Sequence, residues 1–389
     1  MERKTSPAAA IDGAASASGM FTNESSSISA PNTASHSLPA TARELPCEYV
    51  SLLWKGARGK MNKLWRILVP LAGIALLAFV AIQLGAAKLV KHRGHESVYV
   101  VLKTAGSDME FWQIVRAGIQ VAATEYDVDP KIVGPDYEKD VDGQMAILAR
   151  VIKEKPAGIL LAAADYNRLV PLAEKAAAEG VTIVTLDSAL NSKVPVSFVA
   201  TDNVAAGRKA GGEIDRLIPK GAQIAIISHV QGTATAIDRE TGVRDALAAA
   251  GRTQPLGPYF TENDLDKAYN IVTELLRRHP NLGGIVALNE NSTVGAGRAL
   301  RDLGDAGRVK LVGFDNSKEE IEFLEGGVVQ ALIVQKPFNM GYLGVRTLVE
   351  AMRGKRVPPV IHTESVLVRQ SDMFTPENQR LLFPLIQEK

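Results

Sequence analysis

From Ser97 onward the chain alternates between short apolar runs and longer segments in which apolar residues recur every three to four positions. Residues 98–102 form a continuous apolar run typical of a strand buried on both faces, whereas residues 112–126 have the spacing of an amphipathic helix. This alternation predicts repeated βα units. The other predicted strands span residues 131–133, 158–162, 181–186, 196–200, 223–227, 284–287, 310–314 and 328–335, and the other predicted helices span residues 141–154, 169–179, 203–218, 236–249, 266–278, 292–303, 319–324 and 340–352.

The rhythm of strands and helices restarts after about residue 200, so the pattern predicts two half-chains of similar build. Parallel strands that are joined by helices need right-handed crossovers, which place helices on both faces of each sheet. The predicted fold class is therefore α/β, with two doubly wound parallel-sheet lobes.

The N-terminal part of the chain has a different composition. Residues 1–60 are predicted to be a disordered or untranslated tail, because a segment rich in Ser, Ala, Thr and Pro buries too little apolar surface to offset its ordering entropy. Residues 61–93 combine a basic start with an uncharged apolar stretch, as in a signal peptide or a membrane anchor. Both outcomes stay open, and Met61 is a candidate for the true start of the protein.

Composition excludes several classes of function. Lys and Arg (44) nearly balance Asp and Glu (43), so no overall charge favours nucleic acid or an acidic partner. The single cysteine, Cys47, excludes internal disulfides and thiolate metal clusters. The sequence has no P-loop pattern, no nucleophile elbow and no histidines at metal-ligand spacing. We therefore expect a protein that is not an enzyme and that holds neither a metal nor a cofactor.

Two predicted strands end in an acid. Asp187 follows the apolar run 181–186, and Asp315 follows the run 310–314. Open α/β sheets bind ligands beyond the carboxyl ends of their strands, so each aspartate is placed where a ligand would bind. If the two strand ends face each other, the two carboxylates form a clamp. The alternative for each aspartate is to cap the helix that follows.

Several short motifs occur in a recognisable order along the α/β region. They are Phe111-Trp112, Thr185-Leu186-Asp187, Thr201-Asp202-Asn203, the segment 232–239, Leu288-Asn289, the segment 312–315 and Val334-Gln335. In these motifs the chain resembles the ribose-binding-protein group of type I periplasmic binding proteins, the substrate-binding components of bacterial ABC sugar transporters. The resemblance extends over residues 97–369.

The resemblance implies two lobes that close on a ligand about a three-segment hinge. The N-terminal lobe would comprise residues 97–201 with 336–364, and the C-terminal lobe residues 202–335 with 365–389. It also implies a monomer outside the cytoplasm that binds a sugar or sugar-like molecule and delivers it to an ABC permease. The alternative is a membrane-tethered sensor that presents its closed form to a histidine kinase or chemoreceptor. A repressor would need a helix-turn-helix in place of the apolar segment.

Nine residues form the ligand site that the resemblance implies. Asp187 and Asp315 would accept hydrogen bonds from sugar hydroxyls and Arg239 would donate them, because charged groups form the stronger hydrogen bonds. Phe111 and Trp112 would hold the sugar between their rings. The other four candidates are Ser188, Asn203, Asn289 and Gln335.

Most of these candidates also have an ordinary structural alternative, such as helix capping for the asparagines or packing against the sheet for the aromatic pair. Two departures from the group concern the ligand. Ser188 stands where the group has an arginine, and residues 107–110 replace an asparagine-rich turn with a segment that contains two acids. The ligand is therefore left open among pentoses, hexoses, polyols and other hydroxylated molecules.

Overall fold

The chain divides into two units, residues 1–84 and 85–389. The computed structural model describes a few residues of the first unit and nearly all of the α/β region of the second. Described are residues 71, 73–77, 79, 97–106 and 109–383.

The first unit is described only at residues 71, 73–77 and 79, which are helical and exposed. Within the described part of the chain, no helix combines the length and the apolar character needed to span a membrane. The predicted tail with Cys47, the candidate start Met61 and most of the predicted export or anchor segment lie outside the described residues.

In the second unit, the described residues contain two six-stranded sheets. Most of the strands are short apolar runs that are buried from end to end, as the sequence pattern predicts. In chain order they are β1 (Val98–Val101), β2 (Pro130–Val133), β3 (Gly158–Leu161), β4 (Thr182–Leu186), β5 (Ser197–Thr201), β6 (Gln223–Ser228), β7 (Leu256–Phe260), β8 (Leu282–Ala287), β9 (Lys310–Phe314), β10 (Ala331–Val334), β11 (Val360–Thr363) and β12 (Val366–Arg369).

The strand orders show a doubly wound arrangement in each sheet. They are β11-β5-β4-β3-β1-β2 in the first sheet and β12-β10-β9-β8-β6-β7 in the second. Neighbouring strands pair in parallel except β12, which runs antiparallel to β10. The chain passes from one sheet to the other after β5, after β10 and between β11 and β12. The sheets therefore define two lobes with three connections, and movement about these connections stays a prediction.

Helices cover both faces of each sheet. Several begin at side chains that satisfy free N–H groups of the first turn: Asp140, Asp202, Thr233 and Asp264 each accept a hydrogen bond from the residue three positions on. In chain order the described helices of the second unit are α1 (Glu110–Tyr126), α2 (Val141–Lys153), α3 (Val170–Ala178), α4 (Asn203–Leu217), α5 (Ala234–Ala249), α6 (Leu265–Arg278), α7 (Glu290–Asp302), α8 (Lys318–Glu325), α9 (Pro337–Met352) and α10 (Pro376–Leu382).

The cores lie between these layers. In β1, Val98 and Val100 pack into one hydrophobic cluster with residues of α1 and α9, whereas Tyr99 and Val101 pack into a second cluster with residues of α2 and α3. Alternate residues of a strand face opposite sides of the sheet, so a fully apolar strand contributes to two cores at once. The second lobe repeats the arrangement with two further clusters on the two faces of its sheet.

Helices α4 and α5 approach each other closely through two glycines. A Cβ atom on Gly207 would lie 2.2 Å from the carbonyl oxygen of Arg239, and one on Gly242 would lie 2.1 Å from the carbonyl oxygen of Val204. Only glycine leaves room for backbones at this separation. The contact therefore sets the position of the α5 backbone at Arg239.

The predicted fold class of two doubly wound α/β lobes is confirmed. The sequence pattern did not predict β7, β11, β12 or α10, and it made β10 four residues too long, since that strand spans Ala331–Val334. The three unpredicted strands share one position, because each lies at an edge of its sheet.

Candidate functional site

Asp187 and Asp315 occupy equivalent places in the two lobes. Asp187 follows β4 with a φ of 59°, and Asp315 follows β9 with a φ of 79°. Aspartate is one of the few residues other than glycine that adopt this left-handed conformation at moderate cost. Both side chains are buried. Each strand therefore ends in a sharp turn that holds a carboxylate at the edge of its sheet.

Both carboxylates line one cavity between the lobes, with a volume of about 30 Å³. This volume is far below the several hundred Å³ of a typical ligand pocket, so the structure shows the lobes closed upon each other. A contact across the cleft also shows that the lobes are closed: the N–H of Tyr166 donates a hydrogen bond of 2.8 Å to the carbonyl oxygen of Gly232. Seven of the nine predicted residues line the cavity: Phe111, Trp112, Asp187, Arg239, Asn289, Asp315 and Gln335.

Ser188 and Asn203 are not among the lining residues. Ser188 is buried, and its hydroxyl has no hydrogen-bond partner among the described residues. Asn203 lies behind the cavity, where its Oδ1 accepts a hydrogen bond of 2.8 Å from Nε of Arg239. The structure therefore places Asn203 in support of Arg239, it does not bring Asn203 or Ser188 to the cavity, and their contact with a ligand stays a prediction.

A buried ion pair forms the wall of the N-terminal lobe. Nζ of Lys103 lies 2.8 Å from Oδ2 of Asp187, and both side chains are almost fully buried, at 3% and 5% exposure. The same ammonium donates to Oγ1 of Thr235 in the other lobe over 3.2 Å. Lys103 thus neutralises one acid of the site and bridges the cleft.

The indole of Trp112 holds a second acid of this wall. Nε1 of Trp112 donates to Oε1 of Glu138 over 2.6 Å. Burial raises the pKa of the Glu138 carboxyl, and the nearby Lys103 charge opposes this effect. Glu138 therefore offers the cavity a carboxyl whose orientation is fixed by the aromatic ring.

Phe111 and Trp112 contact each other edge to face, with ring centroids 5.0 Å apart and planes at 84°. In this arrangement the spacing leaves no room for a sugar between the two rings, and the part that the pair plays in ligand binding stays a prediction. The rings form one continuous apolar surface of the cavity, as aromatic pairs in this geometry commonly do.

Asp315 is the centre of a hydrogen-bond network in the C-terminal lobe. Its Oδ1 accepts from Nε2 of Gln335 over 2.6 Å, and its Oδ2 accepts from the N–H of Glu290 over 3.0 Å. Oε1 of Gln335 in turn accepts from the Thr201 hydroxyl over 2.8 Å. Burial raises the pKa of Asp315, whereas the positive charge of Arg239 opposes the rise. The network links the site to two of the three connections between the lobes.

Arg239 is held firmly by three neighbours. Its Nη1 donates to the carbonyl of Leu288 over 2.7 Å, its Nε donates to Asn203, and its guanidinium lies over the Phe314 ring, 4.6 Å from the centroid. A guanidinium with fixed orientation presents its donors without a large entropy cost. Arg239 is therefore a rigid donor at the cavity, and the alternative of an exposed helix arginine is excluded by its burial.

Asn289 both lines the cavity and caps a helix. Its Oδ1 accepts a hydrogen bond from the Ser292 N–H at the start of α7, over 3.2 Å, and its Nδ2 donates to Oδ1 of Asn263 over 2.7 Å. The capping role that was an alternative at the level of sequence is therefore present in the structure, alongside the position at the cavity.

Five further residues line the cavity that sequence reasoning did not select: Lys103, Met109, Glu138, His229 and Thr235. A sequence signal existed for two of them. Lys103 and His229 come shortly after the buried strands β1 and β6, in the same relation to a strand as the two aspartates. Glu138 and Thr235 lie in a loop and on a helix, and only the tertiary structure brings them to the site.

His229 adds a neutral group to the site. Its Nε2 lies 2.9 Å from Oγ1 of Thr235, and its Nδ1 has no hydrogen-bond partner within the described chain. Burial lowers the pKa of the imidazole well below its usual range, and the charges of Arg239 and Lys103 add to this effect. The ring is therefore uncharged at neutral pH.

The cavity thus combines three carboxyl groups, one ammonium, one guanidinium, two amides and an aromatic surface. Such a set offers both donors and acceptors at short range, and hydroxyl groups can use both. In the described regions of the chain, no group of three or more His, Cys, Asp or Glu side chains is arranged to hold a metal ion.

Comparison with known proteins assigns the architecture to a family. The family model described as "Periplasmic binding protein domain" matches residues 98–356, well over half of the chain. The chain belongs to the periplasmic binding protein family. Members of this family are extracytoplasmic solute-binding proteins, so the prediction that the chain is not an enzyme is confirmed.

Individual relatives agree with this membership. The D-allose-binding periplasmic protein of Escherichia coli is 30% identical over 67% of this chain and 86% of its own length. A carbohydrate transporter solute-binding protein from Agrobacterium radiobacter, solved with D-arabinose, superposes with a TM-score of 0.70 at 28% identity, over 75% of this chain and 99% of its own. An ABC transporter solute-binding protein from Agrobacterium vitis, solved with D-fucose, has a TM-score of 0.69 at 31% identity, over 74% and 99% of the two chains. The predicted resemblance to sugar-binding components of ABC transporters is confirmed.

Proposed function

We propose that this periplasmic binding protein binds a monosaccharide in the cavity between its lobes and delivers it to an ABC permease. One observation carries the proposal: Asp187, Asp315, Arg239 and Lys103 meet with an aromatic wall in a single cavity at the carboxyl ends of both sheets. Hydroxyl groups of a sugar match this mixture of charged acceptors and donors, and the C–H faces of its ring match an aromatic surface.

The relative named for D-allose and the neighbours solved with D-arabinose and D-fucose favour a single sugar ring over an oligosaccharide. The closed cavity measures about 30 Å³, so even one ring requires the lobes to separate and close again around it. A ligand that contacts both lobes only in the closed form stabilises that form by its differential affinity. Closure is then the signal by which a permease would distinguish the loaded protein from the free one.

The N-terminal segment fits this proposal. The apolar stretch within residues 61–93 would carry the chain out of the cytoplasm, as a cleaved signal or as an anchor, so that the ligand site faces the medium. The sensor alternative is not carried further, because the relatives described above are named as binding proteins and transport components.

Isothermal titration calorimetry of the full chain with D-allose, D-ribose, D-arabinose and D-fucose tests the proposal. We expect saturable binding of at least one of these sugars. The variant Arg239→Met should weaken that binding at least about tenfold, because a hydrogen bond to a charged group contributes about 1.5–3 kcal/mol. Arg208→Met is the matched control, since Arg208 is exposed on the neighbouring helix α4 and pairs with Asp245 on the surface.

The absence of binding for all four sugars would contradict the proposal. Equal losses of affinity in Arg239→Met and Arg208→Met would place the binding site elsewhere. Circular dichroism of both variants shows whether the fold is retained.

A further inference from the structure

A glutamate of the C-terminal lobe caps a helix of the N-terminal lobe. Glu290, the first residue of α7, accepts hydrogen bonds from the backbone N–H groups of Glu110 and Phe111, over 3.4 and 3.3 Å. These N–H groups lie in the first turn of α1, where they have no partner within their own helix. The Glu290 side chain is buried at this contact.

The reverse contact is made by a glutamate of the N-terminal lobe. Oε1 of Glu110 accepts a hydrogen bond of 3.0 Å from the N–H of Lys318, the first residue of α8 in the C-terminal lobe. Each lobe therefore contributes one carboxyl group that caps a helix of the other. The oxygens of a carboxyl group accept hydrogen bonds from the free N–H groups of a helix N-terminus, whether the group is ionised or protonated.

Glu290 also joins two residues of the ligand cavity. Its side chain binds the N–H of Phe111, whose ring lines the cavity from one lobe. Its own N–H donates to Oδ2 of Asp315, which lines the cavity from the other lobe. In the closed form, Glu290 therefore fixes the position of the start of α1 relative to Asp315. The aromatic wall, which begins at this helix start, is fixed with it.

We infer that Glu110 and Glu290 form a latch that holds the closed lobes together, and that they are positioning residues for ligand binding. Neither touches the cavity, since the lining residues do not include them. Their contribution to affinity rests on the proposed function, whereas their contribution to closure does not depend on which solute is bound. The latch acts by the population of the closed form, which a ligand needs in order to contact both lobes.

Distances between nitroxide labels on the full chain test the latch without any added sugar. Cys47 is first replaced by serine, and labelled cysteines are placed at Gln120 on α1 and Glu325 on α8, two exposed positions on opposite sides of the cleft. Pulsed electron spin resonance then gives the fractions of closed and open molecules. We expect a measurable closed fraction in the protein that carries both glutamates.

Three variants separate a latch from a general effect on the fold. Glu110→Ala, at an exposed residue, and Glu290→Ala should each lower the closed-to-open ratio roughly fivefold, the usual scale of one side-chain helix cap. Glu290→Gln should retain most of the closed fraction, because the amide oxygen still accepts a backbone hydrogen bond. The matched control is Glu319→Ala, which removes an acid of the first turn of α8 whose partner, Arg298, belongs to the same lobe.

Unchanged distance distributions in both alanine variants would overturn the inference, and so would a protein with no closed fraction before substitution. A loss in Glu319→Ala equal to that in Glu110→Ala would also overturn it, because the effect would then belong to charge and not to the contact across the cleft. Calorimetry with the four sugars is a separate measurement, so failure of the proposed function and failure of the latch are distinguished.

Discussion

At the scale of single residues, the buried pair of Lys103 and Asp187 is expected to have a large effect on stability. Both side chains are nearly inaccessible, at 3% and 5% exposure, so neither charge is hydrated. Breaking a buried ion pair by removing one partner is more costly than removing both, because the charge left behind has lost its partner and its water.

We expect Asp187→Asn to lower the free energy of unfolding by about 3 kcal/mol, as measured by urea denaturation. Asparagine accepts the left-handed backbone at this position, so the loss reflects the charge and not the turn. Adding Lys103→Met should restore a large part of the stability. A double variant as unstable as the single one would show that the unpaired ammonium is not the cause.

At the scale of secondary-structure elements, the contact of α4 with α5 determines the position of Arg239. Gly207 faces the carbonyl oxygen of Arg239, and a Cβ atom there would lie 2.2 Å from that oxygen. Such a separation is impossible, so a side chain at this position must push the two helices apart. The displacement moves the guanidinium that lines the cavity.

The variant Gly207→Ala should therefore lower the free energy of unfolding by about 1–3 kcal/mol and weaken sugar binding as well. Gly212→Ala on the same helix is the control, because a Cβ atom at Gly212 meets nothing within 4 Å. There we expect a gain of about 0.5–1 kcal/mol from helix propensity and unchanged affinity. Urea denaturation and calorimetry with sugar test both variants. Equal effects at the two positions would show that the close approach of α4 and α5 at Gly207 is not the cause.

At the scale of the whole molecule, we expect closure to be coupled to proton uptake at Glu290. In the closed form, burial and then the charge of Asp315 raise the pKa of Glu290 from 4.5 to about 8. The acids that face Glu290 are Asp315 from the end of β9, Glu110 from α1 and Glu320 from α8, and the buried Glu320 also has a raised pKa. Opening the cleft returns Glu290 to water, where its pKa falls towards the ordinary value.

Because the raised pKa belongs to the closed form, the proton stabilises closure. This contribution is fully present below about pH 4.5 and is lost as the pH rises through about 8. We expect the closed fraction, measured by label distances, to decrease over this range, and Glu290→Gln to reduce the slope. A pH dependence that is identical in Glu290→Gln and in the unsubstituted protein would assign the proton to another group.

Much of the fold follows from the local pattern. Central strands such as β1 and β4 are buried on both faces, so their apolar runs and the acid after β4 were visible in the sequence. The strands β7, β11 and β12 were not, because edge strands are only half covered and need fewer apolar residues. In β7, Pro258 breaks the pattern, and an edge strand tolerates proline because one side of its backbone is unpaired.

Only some of the residues that line the cavity were predicted from the sequence, and the reason is physical. Asp187 and Asp315 could be predicted because a residue that follows a buried parallel strand always lies at the same edge of the sheet. Whether Asn203 or Thr235 faces the cavity depends on how helices of one lobe pack, and the sequence pattern contains no such information.

The α/β class, the two lobes, the family resemblance and most of the charged residues of the cavity could be predicted from the amino-acid sequence alone. Which residues meet across the cleft could be seen only in the folded protein. Glu290 and Phe111 lie 179 positions apart along the chain, and Glu110 and Lys318 lie 208 apart. Hydrophobic periodicity acts over a few residues and specifies each element, whereas contacts between lobes arise only from how complete elements close upon each other.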